Sequence, residues 1–265
     1  MRDASRLRLS DDLGALFRDV PADKRSISVE QLLSHSSGLP QAYAADGETD
    51  RAAAVRKIFA QPLAFSPGSS FQYSDEGYVL LAAIIEEVSH QSYEHFFASK
   101  LFEPARMAHT FFWGSSDFFD PHRSAGMLRA LDPALTRPQW GQRGSGGVMS
   151  TAADLHAWWQ ALQDGRVLRK DSARQLLTTQ RVLKSGISVG FGWFASVTKR
   201  GTPSLWTRGN EDFGYNAILA VYPKEDYVFA VTSNVFDGAE PWSRVVTADL
   251  ESLLMGDGQE KAVAR

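Results

Sequence analysis

Only a few short stretches of this chain combine residue types that can move a proton or hold a charge. Tyr73-Ser74-Asp75 runs into Glu76 and the apolar segment GYVLLAAIIEEV, so a phenol, a hydroxyl and two carboxylates stand together at a helix start. A phenol within hydrogen-bond reach of a serine can take its proton and return it to a leaving group. Taken alone, the triplet also reads as a ring packed at a helix end with Asp75 as its cap. Ser196-Val-Thr-Lys199 is the one S-x-x-K string in the sequence. It lies in GFGWFASVTKRG, whose period of two sets Ser196 and Lys199 on opposite faces of a strand rather than on adjacent helical turns. Thr207-Arg208-Gly209-Asn210 reads as a strand end with a turn glycine. The six histidines form no H-x-x-x-H or H-E-x-x-H pattern, so no metal site is expected and each, His35 included, reads as a surface or cap residue.

The elements that must position these residues change character along the chain. Ser28-Val-Glu-Gln31 is a capping box that opens a short helix, which Gly38-Leu-Pro40 ends; Thr151-Ala-Ala-Asp154 resembles a second, opening ADLHAWWQAL. Gly77 to Val88 reads as a buried helix and Ser92 to Leu101 as an amphipathic one. Trp158 and Trp159 could roof a cleft, although aromatics at helical spacing are more often core. From Val189 the period shifts toward two in VGFGWFASVTK, PSLWTRG, YNAILAVY and YVFAVTSN, the pattern of an antiparallel meander. A last helix, Pro241 to Leu254, can cover one face of that sheet. The expectation is one α+β domain, mainly helical over 1–185 and a sheet with a C-terminal helix over 186–265.

Composition narrows the functions. The 265 residues are 43% hydrophobic and 22% charged, ordinary for a globular chain. A net charge of -3 without a basic run argues against nucleic acid as a partner. With no cysteine there is no thiolate nucleophile, disulfide or cysteine-based zinc site. No window approaches the length of a membrane span, and MRDASRLRLSDDLG lacks the apolar run of a signal peptide. The sequence as written reads as soluble and untargeted, and leaves its compartment open.

Several ordered blocks carry a resemblance. LRLSDDLGALFRDVP, ISVEQLLSHSSGLP, FSPGSSFQYSDEGYVLLAAIIEEVSHQSYEHFF, GSGGVMSTAADLHAWW and VGFGWF followed by YNAILAVYPKEDYVFAVTSN are similar, in that order, to the serine β-lactamase and penicillin-binding-protein family. The nearest branch is that of class C β-lactamases, D,D-peptidases and β-lactamase-like esterases. The resemblance implies a β-lactamase/transpeptidase-like fold and acyl transfer from an amide or ester to a serine without a cofactor or metal. The substrate would be a β-lactam, a D-alanyl peptide or an ester.

The family works with S-x-x-K, with Y-x-N or S-x-N, and with K-T-G or a variant. Tyr73-Ser74-Asp75 matches the second motif with Asp in place of Asn, which makes Tyr73 the expected proton shuttle. Thr207-Arg208-Gly209 falls where K-T-G would stand, with Trp206 as the counterpart of an aromatic variant. Gly209 would let an acyl group approach the strand, and the Asn210 N–H would be an oxyanion donor. Asp75 can only accept hydrogen bonds when ionised and should repel an anionic substrate. It could hold Arg208, unless strand alternation turns Arg208 away while Thr207 and Gly209 face the cleft. The family's S-x-x-K helix would precede the block beginning at Leu7, so the expectation is a fold lacking its amino-terminal part and inactive alone. The alternative is a non-catalytic module that binds peptidoglycan-like peptides or a protein partner. Family members pair amino-terminal strands beside YVFAVTSN; without them that edge should be open and invite self-association.

Overall fold

The computed structural model describes residues 6–113, 139–198, 200–210, 214–235 and 241–256. Its first half is helical: α1 Leu13–Leu16, α2 Val29–Leu33, α3 Arg51–Phe59, α4 Asp75–Ser89, α5 Tyr93–Phe97 and α6 Glu103–Ala105, with a π-helical turn over Ala98–Phe102 joining the last two. The two-residue strands β1, Phe111–Phe112, and β2, Val148–Met149, pair antiparallel, and α7, Ala152–Asp164, and α8, Lys170–Leu177, follow. The rest is a meander in which β3 Arg181–Val182, β4 Ser188–Val189, β5 Phe194–Val197, β6 Pro203–Asn210, β7 Asn216–Tyr222 and β8 Tyr227–Ser233 lie side by side in chain order. Helix α9, Trp242–Met255, closes the described chain. The sheet therefore begins at Arg181, before the alternation becomes readable at Val189, because β3 and β4 are too short to show a period.

Local rules start these helices where the sequence says. The Ser28 N–H donates to Gln31 Oε1 at 3.0 Å and the Gln31 N–H to Ser28 Oγ at 3.2 Å, the reciprocal capping box. Helix α2 stops at Leu33, earlier than Gly38, because His35 turns the backbone left-handed at φ 54. At α7 only half of the motif forms. Thr151 caps the Asp154 N–H, while the Asp154 carboxylate leaves its own helix to accept from the His109 N–H and the Thr110 hydroxyl.

Three apolar layers hold the elements together. Leu13, Ile27, Leu32, Leu39, Ile58, Leu80 and Ile84 form the helical core around α4. Leu162 of α7 packs with Leu219 and Val221 on one face of the sheet, joined by Trp158 and Trp159, which are core-forming rather than cleft-lining. Ile218, Ala220, Tyr222 and Phe229 face α9 on the other side. Helix α9 buries Ser243 and Thr247 together with Met255, while Trp242, Val245, Val246, Leu253 and Leu254 are exposed. Its first turn is tied to β7, since Asn216 Oδ1 accepts from the Ser243 N–H at 2.8 Å. Strand β8 pairs with β7 alone, so its outer edge is open among the described residues. No described helix is long and apolar enough to cross a membrane.

Candidate active site

The first turn of α4 gathers polar groups from two segments more than thirty residues apart. Ser74 caps the helix, its Oγ accepting from the Gly77 N–H at 3.3 Å while donating to the Pro40 carbonyl at 3.0 Å. Glu76, only 2% exposed, turns one carboxylate oxygen to the N–H groups of Ala42 and Ala44, each at 3.0 Å. A buried carboxylate persists where donors replace its water, and here they are the backbone of the loop after Leu39. That loop brings Gln41 to Asp75: Gln41 Nε2 donates to Asp75 Oδ2 at 2.7 Å and the Asp75 N–H donates back to Gln41 Oε1 at 2.7 Å.

Asp75 is thus held from its own backbone and side chain at once, and it also accepts from the Tyr73 hydroxyl. Burial pushes its carboxyl above the usual carboxylate range; the Gln41 and Tyr73 hydrogen bonds oppose this, and neighbouring Glu76 adds to it. Behind Tyr73 lies His35, 4% exposed, with its ring centroid 4.4 Å from that of Tyr73 and 4.9 Å from that of Tyr78. The Ser74 N–H donates to His35 Nδ1 at 3.2 Å, which fixes the neutral tautomer protonated at Nε2. Burial lowers the His35 pKa from 6.5 to about 4. His35 is therefore a buried support, not the surface or cap residue that its surroundings in the sequence suggested, because the turn after α2 drives it under Tyr73.

Tyr73 is 46% exposed and borders a cavity of about 510 Å³. From the sheet come Phe194, Trp206, Arg208, Gly209 and Asn210, and from α9 comes Arg244. Phe194 and Trp206 stack with centroids 4.7 Å apart, and the Arg208 guanidinium lies 5.4 Å from the Trp206 ring centroid. Gly209 carries no side chain, and a Cβ there would point to the face that Thr207 shares, where it would meet nothing within 4 Å. Thr207 does not line the cavity; it stands opposite Leu219, on the face covered by α7. Strand alternation therefore turns Arg208 in and Thr207 away. Asp75 also stays off the cavity wall, engaged by Gln41 and Tyr73, and no ion pair joins it to Arg208.

Ser196, the serine of the S-x-x-K string, is elsewhere. Its hydroxyl is within 3.0 Å of Ser204 Oγ and accepts from Trp206 Nε1 at 3.1 Å, and it does not border the cavity. Lys199 lies outside the described residues. Of the expected site residues, Tyr73, Arg208, Gly209 and Asn210 meet at one cavity, while Asp75 stands behind Tyr73 and Thr207 faces away. Gln41, Glu76 and His35 had no sequence signal beyond their residue types, since their partners are reached only through the tertiary fold.

Comparison with known proteins adds a second line of observation. A family model described as "Beta-lactamase" matches residues 1–253. The "Putative penicillin-binding protein PbpX" of Bacillus subtilis (strain 168) is 24% identical over 243 residues, covering 91% of this chain and 59% of that protein. Among solved structures, the octameric penicillin-binding protein homologue from Pyrococcus abyssi superposes with a TM-score of 0.82 at 22% identity, over 98% of this chain and 63% of that one. A D-stereospecific amidohydrolase from Streptomyces sp. gives 0.76 at 20% identity, over 95% and 80%. The helices, the antiparallel sheet and their order are thus those of a β-lactamase/transpeptidase-like fold, and the chain spans about three fifths of the curated relative's length.

Proposed function

Because the chain belongs to the β-lactamase family, we propose that it supplies the proton-shuttle tyrosine and the substrate-facing strand of a serine acyl hydrolase cleaving amide or ester bonds. The observation that carries this reading is the shared cavity of Tyr73 and the end of β6. Tyr73 would take the serine proton as the acyl bond forms and hand it to the leaving group. The Asn210 N–H, at the end of β6 that lines the cavity, would stabilise the oxyanion. Asp75, accepting from Tyr73, would orient that hydroxyl from behind. The penicillin-binding and amidohydrolase names of the relatives make amides the first substrates to try.

The nucleophile is the missing part of this reading. Ser196 already engages Ser204 and Trp206, so we expect no acyl-enzyme from these 265 residues alone. A non-catalytic cleft that binds peptidoglycan-like peptides or a protein partner fits that same observation. One experiment separates the two: a serine-directed acylating probe applied to this chain and to the chain extended by its native upstream coding sequence. Labelling of the extended form only supports the hydrolase, labelling of neither supports the binding module, and stoichiometric labelling at Ser196 overturns both. We also expect the open edge of β8 to favour self-association, measured as a concentration-dependent mass in sedimentation. A monomer at every concentration would exclude it.

A further inference from the structure

The geometry points to His35 as the positioning residue for Tyr73: its neutral imidazole supports the phenol ring and fixes the Ser74 N–H, so that protonating His35 releases the Tyr73-Ser74 turn. Three observations converge. The ring sits against Tyr73 on one side and Tyr78 on the other, with Phe71 edge-on at 5.9 Å. Its Nδ1 accepts the Ser74 N–H, a bond open only to an unprotonated nitrogen. Its backbone lies in the left-handed region at φ 54, where its carbonyl accepts from the Gln72 N–H at 3.0 Å, so main chain and side chain of one residue hold the segment around Tyr73 from two points.

The surroundings make the ring sensitive to a proton. The titratable groups in contact are Tyr73 and Tyr78; Tyr78 donates to the Leu33 carbonyl at 2.9 Å and burial pushes its phenol up. Asp75 and Glu76 lie one bond further out, through Tyr73 and Ser74. A proton on Nδ1 would set N–H against N–H at Ser74 and place a cation in a buried aromatic slot, the state that burial opposes. Relief comes by moving Ser74 and the Tyr73 ring away.

The role bears on catalysis only on the reading given above, in which Tyr73 moves the proton, but it is tested without turnover. Ring carbons of labelled tyrosine, assigned with Tyr73→Phe, and exchange of the Ser74 amide are followed from pH 7 to 3. The wild-type protein should show a step in the Tyr73 signal with a midpoint of about 4. Ser74 exchange, corrected for its intrinsic pH dependence, should rise about tenfold across the step, the loss of one neutral hydrogen bond. His35→Asn keeps a side-chain acceptor and tolerates a left-handed backbone but does not titrate, so it should abolish the step. A step that persists in His35→Asn would belong to Asp75 and overturns the proposal. So does a simultaneous shift of the Tyr222 ring in the sheet, which marks global acid unfolding. Should His35→Asn fail to fold, the imidazole nitrogen shifts of the wild type decide: Nδ1 bare at pH 6 upholds the proposal and Nδ1 protonated there overturns it.

Discussion

The two sides of the cavity are built to opposite standards. On the helical side, Ser74, Glu76 and His35 engage backbone groups, and Gln41 and Asp75 engage each other, through hydrogen bonds that leave the Tyr73 turn little freedom. On the sheet side, Arg208, Gly209 and Asn210 are exposed, Arg208 rests on an aromatic ring, and a Cβ at Gly209 would meet nothing within 4 Å. Proton transfer fails if its donor strays by an ångström, whereas a strand that receives varied acyl groups gains from room. On the proposed reading, the contrast would give rigidity to the proton-shuttle tyrosine and tolerance to the acyl-binding strand.

The strongest way to break this comparison is at Glu76. Glu76→Ala strands the Ala42 and Ala44 N–H groups, and chemical denaturation should show a loss of about 4 kcal/mol, two donors left unsatisfied at roughly 2 kcal/mol each. Next comes pH. His35 has a folded pKa of about 4 against 6.5, so between those values the unfolded chain binds a proton that the fold refuses. Stability from this residue is complete above pH 6.5 and falls as pH drops toward 4, by about 3 kcal/mol, and His35→Asn should flatten that part of the stability profile. Ser74→Ala removes a cap and should cost about 1 kcal/mol in thermal or denaturant unfolding. The smallest effects belong to the strand: Arg208→Ala and Gly209→Ala should each change stability by less than about 0.5 kcal/mol. Arg208→Ala should nonetheless weaken binding of carboxylate-bearing amides, read by calorimetry. A loss on the strand as large as that at Glu76 would erase the distinction.

The same division decides what could be read from the sequence. The Ser28 capping box, the run of α4 and the alternation of β6 to β8 are local patterns, and all three appear as expected. The β1–β2 pair, the π-helical turn at Ala98–Phe102 and β3 are short or depend on distant partners, so no periodicity announces them. At the site, Tyr73 was legible because a motif surrounds it. Gln41 and Glu76 were not, since the bonds that matter span 32 to 34 residues of chain. Arg208 was legible as a residue but not in direction: only the register opposite Ile218 tells that it faces the cavity and Thr207 does not.

The exposed apolar residues of α9 give the molecule an optical handle. Trp242, at the head of that helix, is 45% exposed, while Trp113 and Trp193 are buried and Trp140, Trp158, Trp159 and Trp206 are partly covered. Indole emission moves to longer wavelength in water and to shorter wavelength in an apolar contact, so Trp242 contributes the red side of the protein's intrinsic fluorescence. Whatever settles on the outer face of α9 should shift that component to the blue and shield it from an aqueous quencher, and Trp242→Phe should remove the response. The outer face of α9 thus reports its own coverage in ordinary light, with no label attached.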